Sequence, residues 1–398
     1  MHFTTQLLPS QAAKLGILQL NNPSSLNALT LEMIRSMTST LNTWHAAGDN
    51  IRATLMEGAP YEKNGKAKPV FCAGGDVKAV YLAGLSKEDE VKTNGVNSSN
   101  LAADFFREEY KLNHLIATQP PHQPQVSIWD GVVMGGGVGL SIHGKYRVAT
   151  ENTIFAMPET KIGLFPDVGG TWWIPRLKLY NGRQREGVVG GVGNYLALTG
   201  ARLKGEDLIY AGIATHFVQS ERLDELKQAL VESTDNSSLQ FADCVAGVLM
   251  SFHDDVDLDS AFLAKNRKDI DYAFDAKDSM EDIVAALEKS NSKFAQSTLE
   301  TLKQMSPTSL KVTLEGLKRG ASLKGIGDAL EMEYRMSQSF MKEGSDFYEG
   351  IRAALVDKCG KPKWRLKNLE EVTQEMVEGY FESLGERELC LSGGNAKL

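Results

Sequence analysis

Met134-Gly135-Gly136-Gly137-Val138-Gly139-Leu140 sets the class of this fold. It follows the apolar run Val126-Ser127-Ile128-Trp129, which reads as a strand, and it leads into a helix-like segment. A second turn of the same kind, Phe71-Cys72-Ala73-Gly74-Gly75-Asp76, continues a short strand at Val70-Phe71-Cys72. Glycine at such a junction lets backbone N–H groups come close to a ligand. Two such groups aimed at one oxygen form an oxyanion hole. A third stretch brings two carboxylates, Phe155-Ala156-Met157-Pro158-Glu159-Thr160-Lys161-Ile162-Gly163-Leu164-Phe165-Pro166-Asp167-Val168-Gly169-Gly170. A carboxylate among Phe155, Met157, Ile162, Leu164 and Phe165 is desolvated, which suits a base or nucleophile working near neutral pH.

On either side of these turns, strand-like and helix-like segments alternate. Leu15-Gly16-Ile17-Leu18-Gln19-Leu20 reads as a strand. Asn27-Ala28-Leu29-Thr30 opens an amphipathic helix, with Leu31, Ile34, Met37 and Leu41 at helical spacing. Ile51 to Met56, Tyr146 to Ala149 and Thr153 to Ala156 are further strands, and Asp76 can cap a helix through Val80 and Leu82. Pro60 to Lys68 reads as an exposed loop, and the glycine-rich insert Asn181 to Asn194 as a surface loop. The expected class is α/β, with sheets covered by helices. From Gly205 onward the pattern turns helical, as at Leu223 to Val231, Met280 to Leu287 and Leu299 to Met305, and little sheet signal remains after about His216. The chain then divides into residues 1–205 (the core with the glycine turns and carboxylates), 206–345 (a helical region) and 346–398 (a closing segment and flexible tail).

The 398 residues provide ample material for a core, and 42% hydrophobic with 24% charged residues is ordinary for a globular protein. A formal net charge of −8 argues against a broad nucleic-acid or anionic-membrane surface. No apolar run reaches the roughly 18 residues of a membrane helix. Cys72, Cys244, Cys359 and Cys390 show no CxxC spacing and read as free thiols in a reducing compartment. The histidines show no HExxH spacing, so no metal is expected. Met1 to Gln6 does not read as a signal or transit peptide. The C-terminal Ala396-Lys397-Leu398 differs by one residue from the Ser-Lys-Leu peroxisomal address. A peroxisomal location is therefore expected, with the mitochondrion as the alternative.

Each candidate also has a plainer reading. Glycines like Gly75 and Gly136 often only permit tight packing. Glu159, after Pro158, could be a helix-start carboxylate, and Asp167, after Pro166, a turn aspartate. Glu109, in Phe105-Phe106-Arg107-Glu108-Glu109-Tyr110, could be half of an i,i+4 pair. His143 reads as a packed helix-end residue, Cys72 as core, and Trp172 and Trp173 as apolar anchors. Lys63, Lys66, Lys68 and Lys78 could meet phosphates, although surface lysines are common.

Together these segments resemble the crotonase (enoyl-CoA hydratase/isomerase) superfamily. Asn27-Ala28-Leu29-Thr30 and the two glycine turns are similar to the superfamily at large. Phe155 to Thr160, Gly163 to Gly170, Phe105 to Tyr110, Asp346-Phe347-Tyr348-Glu349-Gly350, Asp357-Lys358 and Pro362-Lys363-Trp364 are similar to its hydrolase branch. The resemblance implies a β-β-α spiral core with a helical C-terminal region. It also implies hydrolysis of a short 3-hydroxyacyl-CoA thioester, 3-hydroxyisobutyryl-CoA first, as a step of valine breakdown. By it, the N–H groups of Gly75 and Gly136 form the oxyanion hole. Glu159 is the principal catalytic carboxylate, and Asp167 meets the 3-hydroxyl or assists proton transfer. Glu109, Ala73, Gly74 and Asp76 bind substrate. No metal or redox cofactor is implied, since CoA is part of the substrate; a homo-oligomer is compatible with the helical region. Hydratases carry a second glutamate where this chain has Gly139, so their two-glutamate addition of water is not expected. The alternatives are an enoyl-CoA hydratase or isomerase, and a catalytically inactive binding subunit of the same fold.

Overall fold

Alternating side chains split each central strand between two layers. A computed structural model describes residues 3–9, 14–85, 101–180, 185–188, 190–233 and 241–391. Its larger sheet has six strands, in the order β1 (Phe3–Pro9), β2 (Lys14–Leu20), β3 (Ile51–Gly58), β7 (Gln125–Trp129), β9 (Tyr146–Ala149) and β13 (His216–Phe217). Only the β1–β2 pair is antiparallel. Leu15, Ile17, Leu55, Val126, Ile128 and Val148 point to one face. There they pack on Leu226 and Leu230 of the helix Leu223–Ser233 and Leu249 of the helix Phe241–Phe252. Leu18, Leu20, Met56 and Trp129 point to the other face, into the main core, as the period of two requires.

The smaller sheet lies on that second side. It is parallel throughout, in the order β6 (Val70–Cys72), β8 (Val132–Met134), β10 (Ile154–Ala156). Each turn of the spiral gives one strand to each sheet, as β3 with β6, β7 with β8 and β9 with β10. The helices α2 (Val77–Leu85) and α3 (Leu101–Ala117) follow β6, and α4 (Gly136–Gly139) follows β8. Ahead of them, α1 (Leu31–Ala46) is capped by Thr30, whose Oγ accepts from Met33 N–H, and buries Ile34, Met37 and Leu41. This is the β-β-α spiral that the family resemblance implies. The carboxyl ends of β6, β8 and β10 open into the two glycine turns and the Glu159 segment, so one edge of the smaller sheet presents all three.

After β10 come α5 (Gly170–Trp173), the hairpin β11 (Lys178–Tyr180) with β12 (Arg185–Val188), and α6 (Gly190–Thr199). The surface loop expected over 181–194 is corrected here. Residues 181–184 and 189 lie outside the described set, but 185–188 pair as a strand and Gly190 begins a helix. Packing overrides glycine's weak helix propensity, since Val192 is fully buried and a Cβ on Gly193 would lie 2.7 Å from Ile174 O. Pro60 to Lys68 likewise forms a hairpin, β4 (Tyr61–Lys63) with β5 (Lys66–Lys68), whose lysines are exposed as expected.

The helices Pro307–Ser322 and Ile326–Phe340 pack against α5, the former also against α6 and the latter against α3. The closing segment folds back onto the core. Asp346 Oδ2 accepts from Ser306 Oγ at 2.5 Å, and Oδ1 accepts from Arg365 N–H at 2.9 Å. A Cβ on Gly350 would lie 2.2 Å from Ile162 O, so this segment lies directly on the turn that carries Glu159.

Candidate active site

The turns after β6 and β8 converge. A Cβ built on Gly136 would lie 3.1 Å from Gly75 N and 2.5 Å from Glu109 Oε1. The two main-chain amides are therefore neighbours, and only glycine lets Glu109 approach them. Gly136 is the first residue of α4, so its N–H has no acceptor within the helix. Gly75 is flanked by backbone bonds, Leu29 N–H to Gly74 O and Asp76 N–H to Leu29 O, but among the described residues its own N–H makes none. Gly135 turns the chain into α4 with φ 46° and ψ −119°, a conformation open to glycine and costly for other residues.

Glu159 opens a single 3-10 turn, Glu159–Ile162, whose N-cap Pro158 has φ −91° and ψ 21° rather than an extended backbone. Its Oε1 would lie 2.8 Å from a Cβ on Gly135. Asp167 sits at the end of the apolar run Leu164-Phe165-Pro166, and Glu109 comes from the middle of α3. Gly75, Gly136, Glu109, Glu159 and Asp167 all line one cavity of about 90 Å³, walled on its apolar side by Phe105, Phe106 and Leu164. Ala73 and Gly74 line it too. Asp76 does not: it caps α2, its Oδ1 accepting from Ala79 N–H at 3.1 Å. Lys63, Lys66, Lys68 and Lys78 are exposed and do not line the cavity.

The three carboxyls are nearly inaccessible, at 2% (Glu109), 6% (Glu159) and 5% (Asp167) exposed. Burial pushes all three above the ordinary carboxylate range, and repulsion between carboxylates adds to it for Glu109 and Glu159. Glu109 rises through burial and then through Asp167 and Glu159; Glu159 rises through burial and then through Asp167. Asp167 is pushed up to about 7 by burial, against a hydrogen bond from Tyr110 that lowers it. Glu109 Oε1 and Glu159 Oε2 have no hydrogen-bond partner among the described residues. Unpaired buried oxygens of this kind are uncommon and cluster where ligands are held. Among the described residues no cluster of three or more His, Cys, Asp or Glu is arranged to hold a metal ion.

Several predicted residues take the plainer role. His143 packs half-buried against Val168, with Nε2 2.8 Å from Val168 O, and Cys72 is fully buried in β6. Three neighbours of the site carry no sequence signal that singles them out. Tyr110 donates to Asp167, and Asn113 is fully buried one helical turn beyond Glu109. Asn113, four residues on from Glu109, could have been read from the period of α3 once Glu109 was chosen, whereas Tyr110, one residue on, could not. Glu333 bonds Gly169 and Thr171 from 164 and 162 residues away, a pairing that no local pattern announces.

The chain matches the enoyl-CoA hydratase/isomerase family over residues 15–381. It is 46% identical over 385 residues to a Xenopus laevis protein named 3-hydroxyisobutyryl-CoA hydrolase, mitochondrial, covering 96% of this chain and 90% of the relative. A Homo sapiens protein of the same name is 43% identical over 377 residues, covering 94% and 88%. Among solved structures, a carnitinyl-CoA dehydratase from Mycobacterium thermoresistibile superposes with TM-score 0.80 at 36% identity, covering 98% and 99% of the two chains. An enoyl-CoA hydratase from Rhodobacter sphaeroides 2.4.1 gives 0.76 at 32%, covering 97% and 99%. The peroxisomal expectation is overturned by these names, because relatives this similar are called mitochondrial. Its only support was a tripeptide one residue off the address, in a tail outside the described residues.

Proposed function

The chain belongs to the enoyl-CoA hydratase/isomerase family, and we propose that within it the protein hydrolyses the thioester of 3-hydroxyisobutyryl-CoA or a similar short 3-hydroxyacyl-CoA. The observation that carries this reading is the pairing of two adjacent main-chain amides, Gly75 and Gly136, with the buried, partly unpaired carboxylate of Glu159 beside them. The hydrolase name of the relatives supports it over nearly the whole chain. They also point to the mitochondrion as its location.

In this mechanism the thioester oxygen accepts from both amides, which hold the negative charge of the tetrahedral intermediate. Glu159 takes a proton from water as the water oxygen attacks the carbonyl carbon, and collapse expels the CoA thiolate, which is protonated. In a second route the Glu159 oxygen attacks the carbonyl carbon first and expels the CoA thiolate, which is protonated, leaving a mixed anhydride that water then opens to the free acid and Glu159. Single turnover in heavy-oxygen water separates the two. Label in the Glu159 peptide supports the anhydride, and label only in the acid supports general-base catalysis. Asp167 meets the 3-hydroxyl or assists proton transfer, and Glu109 holds the acyl group against the amides. CoA is part of the substrate, and no step needs a metal or redox group.

The dehydratase and hydratase titles of the structural neighbours favour a second reading, in which water adds to or leaves an enoyl-CoA. Gly139 weighs against it, because a Cβ there would lie 2.6 Å from Val168 Cβ and 2.9 Å from Asn113 Nδ2, leaving no room for a second glutamate. A panel of acyl-CoAs scored for free thiol is the deciding test. The expected result is thiol release, fastest with 3-hydroxyisobutyryl-CoA. Loss of enoyl absorbance with no thiol released would reverse it.

A further inference from the structure

Glu333 lies in the helix Ile326–Phe340, far from the spiral core in sequence, and is fully buried. Its Oε2 accepts from Gly169 N–H at 2.7 Å. Its Oε1 accepts from Thr171 N–H at 2.8 Å and from the Thr171 hydroxyl at 2.7 Å. These donors surround the start of α5, one turn after Asp167. Between them lies Val168, at φ 51°. A β-branched residue in that region is a true outlier, and it persists only where its surroundings over-determine it.

The surroundings here can be named. Burial keeps His143 neutral, its pKa lowered to about 4, so its Nε2–H donates to the Val168 carbonyl, which can only accept. Gly169 follows at φ 83°, and Gly170 N–H closes the turn on Asp167 O at 2.8 Å. Glu333 takes the amides on either side of that one, Gly169 and Thr171. A carboxylate can accept all three of its bonds with no hydrogen left to place, whereas a glutamine would set an NH2 group against an N–H. Burial lifts Glu333 to about 8 while these three donated bonds pull it back down, so the bonds reach their charge-assisted strength as Glu333 ionises.

We propose that Glu333 is a positioning residue for Asp167: acting from the helical C-terminal region, it locks the strained Val168-Gly169 turn and so aims the Asp167 carboxylate into the cavity. This rests on the role given to Asp167 above. It also gives the C-terminal helices a part in the chemistry, although none of their residues lines the cavity.

The experiment compares Glu333→Gln and the milder Thr171→Val, each alone and combined with Asp167→Asn. In the wild-type background, Glu333→Gln is expected to lower kcat on the 3-hydroxyacyl-CoA by roughly tenfold or more with KM changed less than about threefold, because a displaced catalytic group costs turnover before binding. In the Asp167→Asn background the same change should cost less than about threefold. Equal losses in both backgrounds would overturn the proposal. Should Glu333→Gln fail to fold, Thr171→Val removes only one hydroxyl donor and carries the same comparison, with the same outcome required. A second readout needs no substrate: carbon-13 titration of labelled aspartates, with the Asp167 signal assigned by its loss in Asp167→Asn. Its midpoint is expected to move in Glu333→Gln and Thr171→Val, and an unmoved midpoint overturns the proposal. If the wild type releases no thiol from any acyl-CoA, the hydrolase reading fails while the titration still decides this one.

Discussion

The Tyr110 hydroxyl lies 2.9 Å from Asp167 Oδ2 and donates to it, both groups being buried. That bond opposes the burial that lifts Asp167 to about 7. Tyr110→Phe leaves the ring in place and removes only the donor. A hydrogen bond to a charged group contributes about 1.5–3 kcal/mol, or roughly one to two pKa units, so the Asp167 midpoint should move up by that order. The limb of the pH–rate profile governed by Asp167 should shift to higher pH. An identical profile in Tyr110→Phe would remove Asp167 from that limb.

Glu159→Gln keeps the side-chain volume and removes the base. Thiol release should fall by about 10²–10⁴, the usual range for a lost general acid–base group. Binding of a CoA ester, measured by calorimetry, should survive, because Gly75 and Gly136 are untouched. Turnover near the wild-type rate would take Glu159 out of both hydrolytic routes.

How much of this site could be read from the sequence divides by distance along the chain. Gly75, Gly136, Glu159 and Asp167 stand in short segments whose composition announces a turn after a strand, and the spiral puts those turns at one sheet edge. The hairpin at Tyr61–Lys68 and the start of α6 at Gly190 depart from the loops expected there because turn residues and glycine dominate locally, whereas pairing and burial of Val192 decide the outcome. Asp76 stands in the glycine turn, and its carboxylate takes the helix-capping role expected of it, accepting from Ala79 N–H at the α2 N-terminus. Glu333 was out of reach, since its partners are fixed only when the helix Ile326–Phe340 docks on α5.

Gly136→Ala tests the oxyanion hole directly. The added methyl would sit 2.5 Å from Glu109 Oε1 and 3.1 Å from Gly75 N, so either the acid or the amide must move. Losing one donor from such a hole costs about 2.7–4 kcal/mol, or about 10²–10³ in kcat. The expected result is that loss in kcat with the fold intact by circular dichroism. A methyl tolerated at full activity would place the carbonyl elsewhere.

Asp167→Asn should separate substrates. If the carboxylate meets the 3-hydroxyl, kcat/KM should drop at least about tenfold more for 3-hydroxyacyl-CoAs than for chains lacking the hydroxyl, as expected when a buried polar partner is lost. Equal losses on both would leave Asp167 a role in proton transfer alone.

The same substitution should stabilise the protein, in a pH-dependent way. A carboxyl whose folded pKa is raised binds its proton more tightly in the native state, so the unfolded chain sheds protons first as pH rises and stability falls. For Asp167 the window runs from its ordinary 3.8 to about 7, and for Glu333, lifted by burial to about 8, from 4.5 upward. The wild type should therefore lose stability from mildly acidic toward alkaline pH. Asn at position 167 has no proton to lose. The gap in unfolding free energy between variant and wild type should be constant below pH 3.8, widen through the window, and level off above about 7. Three units at about 1.36 kcal/mol each set its upper size at about 4 kcal/mol. Stability bought at the cost of activity is the ordinary exchange at a strained site. Denaturant unfolding of both proteins at pH 5 and pH 8 measures the gap, and a gap that does not grow between them would mean that Asp167 is ionised in the folded protein throughout.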